Sequence, residues 1–278
     1  MIQISDLKIT FSPGTALQTQ VFSGLSLSIA AGQFVTVIGS NGAGKSTLLN
    51  AVSGAVIPQS GRILVAGYDI TQWSIAKRAK LVSRVFQNPL AGSCAELTLE
   101  ENLVLAQRRS RTFSLIPALK PALSQSVRSQ FRERLASLSL GLENRLGDRM
   151  GLLSGGQRQA ASLVMATLAP TQVLLLDEHT AALDPKTANE ILLLTRQLVA
   201  EKQLTTLMVT HSMQQALDLG DRTIMLHGGR PILDIAGKER QGLTVNDLLD
   251  RFERKRTNQS GASTPTLNPF DEDALLLE

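Results

Sequence analysis

The chain has 278 residues, of which 43% are hydrophobic and 19% are charged, and its formal net charge is +4. A chain of this size and composition can bury one large core or two small ones, which argues against intrinsic disorder of its body. No run approaches the roughly 20 apolar residues that a membrane helix needs, and the N-terminus lacks a secretory signal pattern. The single cysteine, Cys94, excludes an internal disulfide and a Cys-based zinc site. These features predict a reduced, cytosolic protein.

Charge is unevenly placed along the chain. The stretch 107–134 holds one acidic residue and seven basic ones, a net charge of +6, and its basic members are Arg108, Arg109, Arg111, Lys120, Arg128, Arg132 and Arg134. Such a stretch is compatible with nucleic acid, with an anionic membrane surface or with a solvated helix face. Residues 257–278 contain no Lys or Arg and have a net charge of −4. They are predicted to form a flexible tail, either an inert terminus or a docking or regulatory peptide.

The first third of the chain is predicted to contain several strands and one helix. Alternating apolar and polar residues predict half-buried strands over Ile2–Phe11 and 24–29, and the apolar run 34–38 predicts a buried strand of a parallel sheet. A helix is predicted over Lys45–Ser53 and ends at Gly54. Further strands are predicted at 62–66 and 81–86.

The rest of the chain alternates between helices and strands. Thr98 and Glu101 form a capping box that opens a helix running to about residue 107, and helix is predicted to continue to residue 140 after breaks at Pro117 and Pro121. Three helix-then-strand units follow, at 155–168 with 173–176, 185–200 with 205–210, and 213–219 with 223–226. This alternation predicts an α/β sheet, interrupted by a helical subdomain at about 90–153.

A glycine-rich segment between the predicted strand at 34–38 and the following helix fits the pattern G-x-x-x-x-G-K-[ST]. It consists of Gly39, Ser40, Asn41, Gly42, Ala43, Gly44, Lys45, Ser46 and Thr47. Backbone N–H groups of such a loop cradle phosphates, the Lys45 ammonium adds positive charge, and the Ser46 hydroxyl can coordinate Mg²⁺. The alternative, a glycine-rich turn without a ligand, does not explain the strand and helix on its two sides.

Two carboxylates, Asp177 and Glu178, directly follow the apolar run 173–176. Ligands bind at the carboxyl ends of buried parallel strands, where a carboxylate pair is costly unless it meets a cation. We therefore expect Asp177 to bind Mg²⁺, directly or through water, and Glu178 to orient or deprotonate the attacking water. Surface exposure of the pair is the alternative.

The segment Leu153-Ser154-Gly155-Gly156-Gln157 resembles the LSGGQ signature of ABC-type ATPases. When this segment is taken together with the glycine-rich motif and the Asp177–Glu178 pair, residues 2 to about 254 resemble one ABC nucleotide-binding subunit, with the motifs in the family's order. Ser154 and Gln157 also form a capping box, which leaves N–H groups and a hydroxyl for an anion. In the family this helix end faces the γ-phosphate held by a second copy, so the resemblance implies a head-to-tail homodimer with two ATP at its interface.

The resemblance also assigns single residues. Gln87 matches the Q-loop glutamine, which touches Mg²⁺ or the water, His211 matches the switch histidine that contacts the γ-phosphate, and Asp184 matches the D-loop aspartate near the dimer seam. Phe11 is either the aromatic that stacks on adenine or a core residue. Two positions depart from the family pattern. His179 replaces the usual proline after the catalytic glutamate, where it would tune the water or hydrogen-bond the loop, and Ala181 replaces a serine of the D-loop.

The resemblance implies a P-loop NTPase of the RecA-like α/β class with an N-terminal antiparallel β subdomain and an inserted α-helical subdomain. Residues 1–256 would form this domain. The implied role is the ATP-hydrolysing motor of a bacterial ABC transporter, peripheral on the cytoplasmic face of the inner membrane, with two transmembrane permease subunits and an extracytoplasmic substrate-binding protein. An importer of a small solute is favoured, in a branch with substrate-binding lipoproteins that is associated with tryptophan or other aromatic amino acids. The alternatives are an exporter ATPase and a soluble ABC ATPase that acts on nucleic acid or ribosomes.

Overall fold

The computed structural model describes residues 1–109, 124–138 and 140–260. The residues fall into two compact units, the first made of 1–78 together with the chain from 204 onward, and the second of 79–203. The elements in chain order are β1 (Ile2–Phe11), β2 (Thr19–Ile29), β3 (Phe34–Gly39), α1 (Lys45–Ser53), β4 (Ser60–Val65), β5 (Tyr68–Asp69), α2 (Ile75–Arg78), β6 (Val82–Val85), α3 (Leu99–Arg108), α4 (Gln125–Ala136), α5 (Gly155–Leu168), β7 (Val173–Asp177), α6 (Pro185–Lys202), β8 (Thr205–Val209), α7 (Met213–Asp218), β9 (Arg222–His227), β10 (Arg230–Ala236) and α8 (Val245–Ser260).

The first unit contains two groups of paired strands. An antiparallel sheet has the order β2-β1-β4-β5, which confirms the expected N-terminal antiparallel β subdomain. In the second group, β3 pairs in parallel with both β8 and β9, and β10 pairs with β9 in antiparallel fashion. All six residues of β3 are buried, as expected for the central strand of a parallel sheet. The buried hydroxyl of Thr36 donates to the Ala216 carbonyl at 3.0 Å, so this polar side chain does not disrupt the strand.

The second unit contains the parallel pair β6 and β7 together with helices α3 to α6. The register places Arg84 of β6 opposite Leu175 of β7, and Val85 opposite Leu176. The first four residues of β7 are buried. The capping box at Thr98 is formed as predicted, with the Thr98 hydroxyl accepting from the Glu101 N–H and the Glu101 carboxylate accepting from the Thr98 N–H.

Helix α1 is held at its C-terminal end by a glycine and an arginine. Gly54 adopts a left-handed conformation with φ of 90°, which ends the helix where the sequence predicted it. The fully buried guanidinium of Arg78 donates to the carbonyl oxygens of Ala51 and Val52, and also to that of Thr71. These bonds satisfy last-turn carbonyls that an α-helix leaves unpaired, so α1 is fixed at the end opposite its glycine-rich N-terminus.

An apolar cluster packs β9, β10, α7 and α8 together in the first unit. Its buried members are Ile38, Met213, Ala216, Met225, Ile232, Leu233, Ile235, Leu248 and Phe252. Burial of a side chain such as Phe252 contributes about 1.5–3 kcal/mol. The Phe252 ring also meets the His227 ring edge-on, with centroids 5.7 Å apart.

Most predicted elements occur with shifts at their ends. The largest shifts are in β2, which begins at Thr19 rather than at residue 24, and in α4, which ends at Ala136 rather than at residue 140. The predicted helix between residues 110 and 123 lies outside the described residues, and several elements were not predicted. The sequence analysis missed β5, α2, β10 and α8. The predicted tail began at residue 257, but α8 continues to Ser260, because no glycine or proline interrupts the chain between Gly242 and Gly261. The rest of the predicted tail, together with Arg111 and Lys120 of the basic stretch, lies outside the described residues. Across the described part of the chain, every helix is too short or too polar to cross a bilayer.

Candidate functional site

The glycine-rich loop 39–47 connects β3 to α1, as the motif requires. Gly39, Gly42 and Gly44 have φ angles of 147°, 74° and 100°, which residues other than glycine rarely adopt. A Cβ at Gly39 would lie 2.1 Å from the Leu226 carbonyl oxygen, whereas a Cβ at Gly42 would meet nothing within 4 Å. Gly39 is therefore required by packing, while Gly42 lies beside open space. Gly44 precedes α1 without a side-chain cap, so the loop offers backbone N–H groups to a ligand.

Lys45 is the buried cation of this loop. Its ammonium donates to the Gly39 carbonyl at 2.6 Å and to the Ser40 carbonyl at 3.1 Å. These bonds close the loop around the lysine and hold the charge at its centre. Ser46, the predicted Mg²⁺ ligand, is exposed, and the Ser40 hydroxyl lies 3.4 Å from Nδ1 of His227.

Two further predicted residues belong to the same unit as this loop. His211 follows β8, and β8 is the parallel neighbour of β3, with Val37 opposite Val209. Because the carboxyl ends of parallel strands meet at one edge, His211 and the loop 39–47 lie at the same edge of the sheet. Phe11 ends β1 with 40% of its surface exposed, which rules out the core alternative for this ring.

In the second unit, three predicted residues lie at or just after the carboxyl ends of the parallel strands β6 and β7. Asp177 is the last residue of β7, Glu178 comes next, and Gln87 stands two residues after β6. Glu178 has a φ of 45°, a left-handed conformation that costs a residue other than glycine about 1–3 kcal/mol. Strain of this kind is typical of a functional position, where the surrounding structure fixes a side chain in a required direction.

His179, the departure from the family pattern, is 1% exposed. Its Nε2 lies 3.0 Å from the hydroxyl of Thr195 in α6, and that hydroxyl donates to the Ile191 carbonyl at 2.8 Å. The imidazole must therefore be the donor to Thr195, and it ties the residue after Glu178 to α6. Burial lowers the pKa of His179 to about 4, so the ring is neutral at pH 7. Of the two roles that the sequence left open, the geometry favours a hydrogen bond that holds this segment.

The signature segment begins α5 through its predicted capping box. The Ser154 hydroxyl accepts from the Gln157 N–H at 3.2 Å, and Oε1 of Gln157 accepts from the Ser154 N–H at 3.2 Å. The same Oε1 accepts from Arg145 at 2.7 Å, and the Gln157 amide donates to the Leu140 carbonyl at 3.2 Å. The Gln157 side chain therefore fixes the start of the helix. Within the described part of the chain the Ser154 hydroxyl accepts the bond from the Gln157 N–H and donates none, so its hydrogen can be donated to an anion.

Gly156 allows close approach of α5 to the beginning of α6. A Cβ at this position would lie 2.2 Å from Cγ2 of Thr187. At that end of α6, Asp184 is exposed and caps the helix by accepting from the Thr187 N–H at 3.1 Å. Hydrogen bonds from the side chain and backbone of Thr187 lower the pKa of Asp184, so this cap is ionised at neutral pH.

A cavity of about 390 Å³ connects several predicted motifs of the second unit. Gln87, Gly155 of the signature segment, His179 and Leu183 of the D-loop all line it. A separate groove of about 410 Å³ lies between the segment after β6 and helices α3 and α5. Its walls include Phe86, Pro89, Leu105 and Met165, and Arg84 and Arg109 contribute positive charge.

Two arginines of the basic stretch are paired with other parts of the protein: the partly buried Arg109 with groups of β6 and α5, and the exposed Arg128 with Glu100 of α3. Arg109 donates to the Ser83 hydroxyl and to the Ala166 carbonyl, and burial lowers its pKa to about 10. Arg128 donates to both carboxylate oxygens of Glu100 at 2.7 Å, and this bond raises the Arg128 pKa. The unpaired positive charge that the stretch 107–134 can offer to a partner is therefore smaller than its net charge in the sequence indicated.

The sequence analysis missed Arg84 and Arg145, although both contact residues that it predicted as functional. Arg84 forms an ion pair with Asp177, and Arg145 holds Gln157. An arginine within the short apolar strand β6 was the available signal for Arg84, because a buried charge needs a partner. Arg145 gave no comparable signal, since arginine is common in loops.

The glycine-rich loop 39–47 and the start of α1 have the chemistry needed to bind a magnesium-bound nucleoside triphosphate. Mg²⁺ is bound in such sites by one or two protein oxygens together with phosphate oxygens, and the exposed Ser46 hydroxyl at the end of the loop is a donor of this type. The open space at Gly42, the uncapped start of α1 and the buried Lys45 ammonium suit an anion with several phosphates. Bound Mg²⁺ would neutralise charge that develops on the phosphate oxygens during hydrolysis.

Comparison with known proteins agrees with this chemistry. The family model described as ABC transporter matches residues 22–181. A tyrosine transport ATP-binding protein of Clostridioides difficile is 46% identical over 91% of this chain and 99% of its own length. The methionine import ATP-binding protein MetN of Caulobacter vibrioides is 34% identical over 92% of this chain and 73% of its own length.

Among solved structures, the ATP-binding cassette MJ0796 in a dimeric post-hydrolysis state with ADP and Pi is similar to this chain. It is 25% identical, superposes with a TM-score of 0.70, and covers 85% of this chain and 98% of its own. The nucleotide-free cassette of another ABC transporter superposes with a TM-score of 0.72 at 21% identity, over 95% of this chain and 99% of its own, which supports the fold. The chain belongs to the ABC transporter family, as an ATP-binding cassette of the kind that hydrolyses ATP to power transport.

Proposed function

We propose that this chain is the ATP-hydrolysing subunit of a bacterial importer for a small solute, with aromatic amino acids as its class of cargo. The observation that carries the proposal is the 46% identity to a tyrosine transport ATP-binding protein, which extends over 91% of this chain. Relatives named for thiamine and methionine import support the same direction of transport. Because the ATPase does not bind the cargo, the cargo class rests on this similarity alone.

In the proposed mechanism, the loop 39–47 binds the phosphates of ATP and Lys45 neutralises part of their charge. Ser46 and Asp177 would hold Mg²⁺, with Gln87 touching the metal or the water. Glu178 orients and deprotonates the attacking water, and His211 contacts the γ-phosphate. Phe11 stacks on the adenine ring. Each of these residues lies at or just after the end of a strand, or at the start of a helix, as expected for a P-loop ATPase.

The proposed active form is a homodimer in which the signature segment of one copy completes the ATP site of the other. Ser154, Gly155, Gly156 and the start of α5 would bind the γ-phosphate there, with Gln157 fixing the helix that presents them and Asp184 near the seam. The dimeric state of the related cassette MJ0796 supports this assembly. The groove lined by Phe86 and Leu105 offers an apolar surface to a permease segment. Through two permease subunits, the chain would work at the cytoplasmic face of the membrane.

Purification from the native membrane tests the proposal. The tagged chain is solubilised with its partners, reconstituted in liposomes and assayed for ATP hydrolysis with tyrosine, tryptophan or phenylalanine and the binding protein that accompanies the complex. We expect stimulation by one of these amino acids and none by thiamine or methionine. The Glu178→Gln variant serves as the matched inactive control.

Two other results would contradict the proposal. Copurification with RNA or ribosomes, in the absence of any membrane protein, would assign the chain to the soluble ABC ATPases. Stimulation by a solute that acts from the cytoplasmic side without a binding protein would identify an exporter.

A further inference from the structure

The Asp177 carboxylate, the proposed metal ligand, is already paired with a cation from the neighbouring strand. Arg84 lies opposite Leu175 in the parallel pair, and Asp177 is two residues after Leu175. Side chains two residues apart on a strand share a face, so the register brings Arg84 and Asp177 to the same side of the sheet. Nη2 of Arg84 lies 2.5 Å from Oδ2 of Asp177.

This ion pair is partly buried and firmly held. The Arg84 and Asp177 side chains are 12% and 15% exposed, so water and salt screen their attraction only weakly. The guanidinium carbon of Arg84 also lies 4.7 Å from the centre of the Phe86 ring, a distance typical of a cation–π contact. Phe86 directly precedes Gln87, so the arginine connects the metal carboxylate with the segment that leads to the Q-loop.

An arginine at this position has a direct chemical consequence for a metal ion. A carboxylate oxygen that already accepts a charge-assisted hydrogen bond is a poorer ligand for a second cation, and the guanidinium repels that cation. A structural ion pair would act differently, because its loss would change the stability of the protein and leave the metal affinity unaltered. The two roles can therefore be separated by measurement.

We propose that Arg84 is a positioning residue that holds Oδ2 of Asp177 and competes with Mg²⁺ for that oxygen. The inference rests on the proposed role of Asp177 as a metal ligand. Nucleotide binding with Mg²⁺ then requires the arginine to release the carboxylate. Arg84 therefore sets how much Mg²⁺ the site needs.

The test is a Mg²⁺ titration of the full-length protein with a fluorescent, non-hydrolysable ATP analogue. The quantity measured is the Mg²⁺ concentration at half-maximal binding of the analogue, with binding in EDTA and thermal unfolding as checks on the fold. Replacing the cation by a neutral, unbranched or amide side chain, in Arg84→Met and in Arg84→Gln, should lower this concentration about tenfold, the usual size of the effect of one close charge on a carboxylate. Arg84→Lys keeps the charge and should stay near the wild-type value.

The Asp177→Asn variant separates failure of this inference from failure of the proposed metal role. If Asp177→Asn raises the half-maximal Mg²⁺ concentration and the neutral Arg84 variants leave it unchanged or raise it, the competition is refuted and the metal role stands. If Asp177→Asn leaves the concentration unchanged, the metal role is refuted, and the competition with it. Two neutral variants are included so that one that fails to fold does not decide the outcome.

Discussion

The close contact between α5 and α6 allows a quantitative test of how the signature helix is seated. A Cβ introduced at Gly156 would lie 2.2 Å from Cγ2 of Thr187, whereas ordinary contacts of this kind begin at 3.4 Å. The Gly156→Ala variant must therefore separate the two groups by about 1.2 Å, the difference between these two distances. Overpacking of this size costs about 1–3 kcal/mol.

Gly155→Ala is the matched control for this substitution. Its new Cβ would lie 3.4 Å from Cδ2 of Leu183, an ordinary contact, and it gains the same helix propensity of up to about 1 kcal/mol. Relative to this control, we expect Gly156→Ala to lower the free energy of unfolding by about 2 kcal/mol. Urea unfolding of the nucleotide-free protein measures the difference.

A second substitution tests whether the contact itself is the cause. Thr187→Ser removes Cγ2 and keeps the hydroxyl, so in this background the cost of Gly156→Ala should largely disappear. Equal stabilities of Gly155→Ala and Gly156→Ala would refute the packing argument, as would a cost that persists in the Thr187→Ser background.

Three further predictions concern single side chains. Burial lowers the pKa of His179 to about 4, below the ~6.5 of an unfolded histidine. The unfolded chain therefore binds the proton more readily than the folded protein. The stability that this residue contributes is complete above about pH 6.5 and is lost as the pH falls toward 4. In urea unfolding without Mg²⁺, the free energy of unfolding of the wild type should be about 2 kcal/mol lower at pH 5 than at neutral pH, and the His179→Asn variant should lack this decrease. Equal pH profiles of the two proteins would contradict the prediction. Arg109→Ser should lower the free energy of unfolding by about 1–3 kcal/mol because it leaves the Ala166 carbonyl unpaired, whereas Arg108→Ser should not; similar losses would show that Arg109 has no special structural role. Glu178→Gln should slow hydrolysis by about 10²–10⁴-fold while ATP still binds, as judged by phosphate release and equilibrium binding, and near-normal turnover would exclude Glu178 as the base.

Local patterns were sufficient for the parts of the site that are continuous in the chain. The run 34–38 and the glycines after it predicted β3, the loop and α1 with almost correct ends, because helix and turn signals act over a few residues. The capping boxes at Thr98 and Ser154 were correct for the same reason. These signals need no knowledge of tertiary structure.

Contacts between distant segments could not be predicted in the same way. The pair of Arg84 and Asp177 depends on the register between two strands about 90 residues apart, which no local pattern specifies. Arg109 counted as surface charge because its carbonyl partner, Ala166, is contributed by a helix far along the chain. The hydrogen bond between His179 and Thr195 could not be predicted from a sequence motif either, since the pairing depends on how α6 packs against the segment after β7.

Helix α8 carries a practical consequence for work with shortened versions of the chain. Phe252 of this helix supports the ring of His227, and Nδ1 of His227 lies 3.4 Å from the hydroxyl of Ser40 in the phosphate loop. Trimming the C-terminus into α8 therefore removes support from a loop more than 200 residues earlier. Nucleotide affinity is the natural readout of how much C-terminal sequence a shortened chain can lose, and affinity tags are best attached beyond this helix.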